Sequence, residues 1–357
     1  MHPATEERRR SLKPGLQRLS TGRFIWGLAC AVTLTGCADR GAERTSPDVA
    51  EFTLSSQYIA PTEFSSISGL RELRDGRVLV GDPVEQTIRI LDAGTRISPR
   101  LGRQGEGPGE FRGEPGPLFP LPNDTTVVTD LEGPAILFMH GDRFLDRTAT
   151  LPGLQLIGVD TLGGGHWLVA KRSLRSQAAE PGGGNRLVFA VSILRLSRDL
   201  RTVDSIASIR GAELLTAGAL RTDMPEESAI GFEDGWVAIA HFDPYRVDWF
   251  DPHGEWVRGS AMSEDTLPFE RTAYPTLVKA PDGRLLIRRS GRNAAGESGT
   301  VRHDVVDRSG RLNGYFHLPQ NEHVVGSGTQ LIYIATEGPL GIIQIKTVQW
   351  PRPEEGH

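Results

Sequence analysis

Few residues in this chain could supply a nucleophile, an acid–base pair or a set of metal ligands. Its 357 residues hold two cysteines, Cys30 and Cys37, and nine scattered histidines. Neither G-x-S-x-G nor H-E-x-x-H occurs, so the nucleophile elbow of a serine hydrolase and the paired imidazoles of a zinc protease are both missing. Glycines 105, 107 and 109 are spaced like a phosphate cradle, but Pro108 interrupts them and no helix-opening GK[ST] follows, which assigns them to turns. What remains is a set of charged residues, each closing a short apolar run: Asp82; Asp130 with Glu132; Lys171 with Arg172; His241 with Asp243; Arg288 with Arg289; and Glu337. On one common rim, acids from three runs and bases from two would orient a zwitterionic or peptide-like ligand by complementary charge. The plainer reading is solvated rim charges or internal ion pairs.

The elements that must position these residues are strands. The runs RVLVGD, TTVVTD, HWLVAK, WVAIAH, RLLIRR and TQLIYIA each follow a turn, at Gly76, Asp124, Gly164, Gly235, Gly283 and Gly328. Alternating or β-branched segments punctuated by Gly and Asp, with almost no helical period, predict an all-β chain. The clearest unit, Leu70 to Gly102, reads as strand, Asp75-Gly76 turn, strand, short loop, strand, Asp92-Ala93-Gly94 turn and strand, a four-stranded antiparallel meander. Second turns recur at Gly94, Gly141, Asp199, Gly254 and Gly310. Six repeats, mostly 40 to 50 residues apart, predict a six-bladed β-propeller over 51–350, in which each blade buries its faces only by stacking on its neighbours. An open pair of β-sandwiches accounts poorly for that spacing. The last repeat lacks a fourth strand, and Glu51 to Ile59 is expected to complete it and close the ring.

Two repeats carry extra residues between second and third strands, Lys171 to Asn185 and Ser290 to Gly299. In an up-and-down meander those loops and the connections between blades share one face with the ends of the second strands. Loops on a rigid scaffold commonly carry recognition, so this face is the expected working surface.

The first forty residues read as an address. Arg8, Arg9, Arg10, Lys13, Arg18 and Arg23 precede an apolar run from Phe24 to Leu34 that is too short for the ~20 residues of a membrane-spanning helix. The run ends in Leu34-Thr35-Gly36-Cys37, which resembles the lipobox of bacterial lipoproteins. That resemblance implies lipid attachment at Cys37, with palmitate-like acyl chains as a stable anchor and cleavage just before the cysteine. The expected organisation is a signal peptide at 1–36, a flexible tether at 37–50, the propeller at 51–350 and a short tail at 351–357. Cleavage removes six bases and two acids, taking the net charge from −5 to −9, and carries Cys30 away, so no disulfide is left to form. With no basic stripe beyond the N-terminus, nucleic acid is not an expected partner.

The segment GRQGEGPGEF, Gly102 to Phe111, resembles the glycine-rich signature of NHL-type six-bladed propellers, though it is intact only once. The resemblance implies that it turns the chain from one blade to the next and packs Phe111 between them. WD, kelch and YWTD repeats are absent. Six-bladed propellers of the lactonase kind hold a divalent cation in the channel on Glu, Asn and Asp. By that resemblance Glu63, read as lying near the start of the first inner strand, and Asn321 in the sixth blade are candidate ligands, with Ca²⁺ the ion suited to oxygen donors. The resulting expectation is an exported, lipid-anchored propeller of the cell envelope that binds a protein, peptide or glycan, without a cofactor. The alternative is a divalent-metal-dependent hydrolase or lactonase using the central channel.

Overall fold

The computed structural model describes residues 49–351 apart from 93–98, 132–134, 150–152, 163, 181–183, 217–218, 222–226, 243, 263–275 and 290–298. Cys30, Cys37, Glu132, Asp243 and most of the second insertion, 290–298, lie outside the described residues, as do the signal segment, the tether up to 48 and the tail from 352.

The strands form six antiparallel blades. Their inner strands, in ring order, are Gly69–Glu72, Pro115–Leu121, Leu154–Val159, Glu227–Gly231, Leu277–Lys279 and Glu322–Ser327. Each is followed outward by the strand that carries one of the six apolar runs: Val78–Asp82, Thr125–Asp130, Trp167–Glu180, Val237–Phe242, Leu285–Arg288 and Leu331–Glu337. The six expected first turns all fall between inner and second strands. Three of them use the same device. At Asp75-Gly76, Asp234-Gly235 and Asp282-Gly283 the glycine N–H donates to the carbonyl three residues earlier, the aspartate Oδ1 accepts the N–H two residues on, and the glycine holds φ at 82–83°. A side chain at that φ is strained, which explains why Asp-Gly recurs.

Blades stack through apolar seams. Six buried clusters each join two adjacent blades, so the core is a ring of interfaces rather than one centre. The seam of blades three and four is tight enough that a Cβ on Gly158 would stand 2.6 Å from the backbone of Gly231. Between blades one and two Phe111 is fully buried, its ring 6.0 Å from that of Phe144 in an edge-on arrangement, as the glycine-rich segment implied.

Closure follows the expectation with one extension. Ser56–Phe64 pairs antiparallel with Ile343–Gln349 and completes blade six, while Ala50–Glu51 lies parallel to the outer strand of blade five through Gly314 and Tyr315. This corrects the position of Glu63. The closing strand continues to Phe64, so Glu63 is an exposed residue of the outermost strand of blade six, and the first inner strand begins only at Gly69.

The first insertion is also corrected. Of its described residues, Lys171 to Glu180 and Gly184 to Asn185 form strand rather than loop: Trp167–Glu180 and Gly184–Leu196 pair as far as Glu180 and Gly184 through one register shift between Leu174 and Ser176, and Thr202–Thr216 follows them outward. Blade three therefore carries a β-wing that the other blades lack among the described residues. Hydrogen-bonded pairing across the hairpin satisfies those backbone groups of the added residues that face the neighbouring strand, which a solvent loop would leave to water.

Candidate functional site

The inner strands surround a central channel of about 850 Å³ to which all six contribute. Its described wall is largely apolar, with Leu118, Ile157, Ala229, Leu277 and Val325 from five blades. The wall runs from Ser68, Ser228 and Thr276 to the end carrying the first turns, where Glu72, Asp234, Lys279, Arg308 and Thr329 line it. The charged groups of the described channel thus gather opposite the face that the sequence marked.

Each of those groups is tied across a seam. Glu72 of blade one accepts from the Tyr333 hydroxyl at 2.8 Å and from Thr329 at 2.9 Å, both in blade six. Lys279 of blade five pairs with Glu233 of blade four, and Arg308 reaches Asp234 at 2.6 Å. Arg71 crosses to Asp124 of blade two at 3.1 Å. Burial works to raise the Glu233 carboxyl, but the Lys279 ammonium, its hydrogen bond and Arg308 outweigh it and hold the group below the usual carboxylate range. Burial, reinforced by Glu72, pushes Tyr333 far up, so the phenol stays a proton donor at physiological pH.

The sequence-selected residues lie at or near the other face and do not form one rim. Asp82 is fully buried and accepts the backbone N–H groups of Ser65 and Glu85. Asp130 accepts those of Arg112 and Gly113 and pairs with Arg147 at 3.1 Å. Both carboxylates fasten chain segments to their blade. His241 has Nδ1 at 2.7 Å from Glu227, while its Nε2 is buried 2.9 Å from Asp248 without a hydrogen bond to it. Arg289 pairs with Asp304 at 3.3 Å and stands 3.9 Å over the Tyr245 ring, whose hydroxyl also donates to Asp304. Burial first, then Asp304, drives the Tyr245 phenol well up. Arg288 is 7% exposed and faces His303 across a strand pair. His303 is 2% exposed, stacked on Phe316 at 5.0 Å, and its pKa is pushed down to about 3 by burial and then by Arg288. Arg172 and Glu337 are exposed, Arg172 on the wing with its guanidinium 4.3 Å over Phe189.

The structure therefore brings His241 together with Glu227 and Asp248, and Arg289 with Asp304 and Tyr245, while Asp82 and Asp130 serve their own blades. The sequence reading missed Glu72, Glu233 and Lys279. A signal was present: each lies within four residues before the glycine of an Asp-Gly turn.

The donors do not fit a cation. Glu63 is on an outer strand, Asn321 donates its amide to the Glu337 carbonyl at 2.9 Å, and among the described residues no three His, Cys, Asp or Glu side chains gather as metal ligands.

No protein-family profile matches the chain, and no curated protein matches it in sequence. Solved structures do. A calcium-binding regucalcin from Agrobacterium tumefaciens is 10% identical, with 85% of this chain and 98% of that chain covered and a TM-score of 0.43. A protein of Bacteroides fragilis described as exported is 10% identical over 85% and 95%, with a TM-score of 0.47. A PQQ-bound aldose sugar dehydrogenase from Streptomyces coelicolor is 12% identical over 83% and 98%, with a TM-score of 0.45. At such identities the likeness is one of fold, and the propeller stands on its own strand order.

Proposed function

We propose that this chain is an exported, lipid-anchored binding protein of the cell envelope, whose central channel takes a small ligand with an apolar body and a charged end. One observation carries this reading: a channel of about 850 Å³ with apolar walls and charged pairs confined to one end. Preformed concave sites of this size and polarity are the common form of small-molecule sites. The acids and bases around it hold blades together, and a binding role uses that rigidity without asking a side chain to gain or lose a proton.

The test is calorimetry of the full-length protein in detergent against amino acids, dipeptides, sugar acids and aryl carboxylates. At least one class binds, and Lys279→Met, which leaves Glu233 without its ammonium, weakens it about tenfold. No binding by any class, or no effect of the variant, overturns the channel reading. Calcium and an ester and lactone panel run beside these. One tightly bound divalent ion with turnover would put the metal-dependent hydrolase in its place.

Export and anchoring rest on the basic segment, the short apolar run and Leu34-Thr35-Gly36-Cys37. Cys37→Ser abolishes acyl labelling and releases the protein from membranes. Retention with labelling intact would refute the anchor.

A further inference from the structure

The wing of blade three has two unlike edges. Its first strand, Leu154–Val159, stops pairing with Trp167–Glu180 where Leu154 meets Lys171. Beyond Lys171 nothing among the described residues pairs with that edge, whereas on the other side the strand continues to pair with its neighbour as far as Glu180 and Gly184. From Lys171 to Gln177 every side chain is exposed, including Leu174 at 55%. Alternate backbone N–H and C=O groups along such an edge point outward, and a strand that docks there completes their ladder.

We propose that this open edge receives an extended acidic segment of a partner protein by strand addition. Two further features select the occupant. Lys171 and Arg175 stand on this stretch and no acid stands between them. The same charges disfavour a second copy of this edge, because like charges directly opposite are destabilising, and favour a strand bearing carboxylates. The edge is also held in place before anything binds. Gly184–Leu196 and Thr202–Thr216 back it in long register, and Arg172 is steadied over Phe189. A preordered edge loses little conformational freedom on docking. The register shift between Leu174 and Ser176 turns Arg175 out of the simple alternation, placing a cation at mid-edge where the pairing of a wrong neighbour would break. Main-chain bonds would give affinity, and Lys171 and Arg175 the choice of charge. This surface is separate from the channel, so neither reading depends on the other.

The experiment is fluorescence anisotropy of labelled ten-residue Glu/Val alternating peptides with the full-length protein in detergent. The unmodified peptide binds. One of two peptides carrying N-methyl groups along opposite edges loses at least tenfold, because only one edge can meet the wing. The double variant Lys171→Glu, Arg175→Glu weakens the acidic peptide at least tenfold and gains binding of the Lys/Val peptide. Lys279→Met leaves peptide affinity unchanged, which separates this surface from the channel. Both residues lie on exposed strand, and an unchanged circular dichroism spectrum checks the fold. Equal binding of both methylated peptides would mean charge attraction without strand addition and would overturn the proposal, as would the absence of binding.

Discussion

Tyr333 in the last blade donates its hydroxyl to Glu72 in the first at 2.8 Å, so the ring is closed by a side-chain bond at the channel end as well as by the N-terminal strand. The bond has a charged acceptor and lies half-buried, where such bonds contribute most. Tyr333→Phe should cost about 2 kcal/mol in denaturant unfolding. Thr329→Val, which removes the more exposed bond to the same carboxylate, should cost less than half of that. Equal losses would show that burial at this seam confers no advantage.

Asp130 distinguishes a structural carboxylate from a ligand-binding one. It holds two backbone N–H groups and Arg147 within one blade. Asp130→Ala should therefore destabilise by roughly 2–3 kcal/mol, the cost of leaving buried donors and a cation unpaired. Ligand binding to the folded fraction should be unchanged. A loss of affinity at constant stability would return Asp130 to the set of binding residues.

Two glycines separate steric contact from backbone strain. A Cβ at Gly158 meets the backbone of Gly231 at 2.6 Å, and neither strand can move without opening the seam of blades three and four. Gly76 has open space around its absent Cβ but holds φ at +83°. Gly158→Ala should thus cost more than ~2 kcal/mol, and Gly76→Ala about 1 kcal/mol from conformation alone. The reverse order in thermal unfolding would contradict the packing.

His303 makes stability depend on pH. Its folded pKa, about 3, lies below the 6.5 of an unfolded histidine, so the unfolded chain takes up the proton first. The contribution is fully present above pH ~6.5 and is lost as pH falls towards 3, with His323, lowered to about 4 by burial and Arg288, adding to the decline. His303→Phe should reduce the fall in unfolding free energy between pH 7 and 4.5 by on the order of 2 kcal/mol. Parallel curves for both proteins would mean that this imidazole does not contribute.

Much of the fold could be read locally. Asp75-Gly76, Asp234-Gly235 and Asp282-Gly283 specify a turn from their own dihedrals and side-chain bonds, and the apolar runs after them read as strands from their own residue types. Six such units in order leave few closed arrangements, and the incomplete last one pointed to an N-terminal strand. The insertion at Lys171 misled because Ser, Gln and Ala read equally as loop or as strand, and a partner strand decides between them.

The candidate site divides in the same way. Sequence by itself determined the repeats, the tight turns, the blade count and, in four blades, the charged residue that closes the second strand, because short-range geometry dictates them. It also determined that Phe111 follows a glycine-rich crossover. Only the tertiary structure decided that Asp82 and Asp130 turn inward to backbone N–H groups, that His241 sits between Glu227 and Asp248, and that Glu72, Glu233 and Lys279 reach partners in neighbouring blades. Glu72 and Tyr333 are 261 residues apart in the chain and meet only because the ring closes. The partner of a charged side chain is set by which blades adjoin, and no local pattern encodes that.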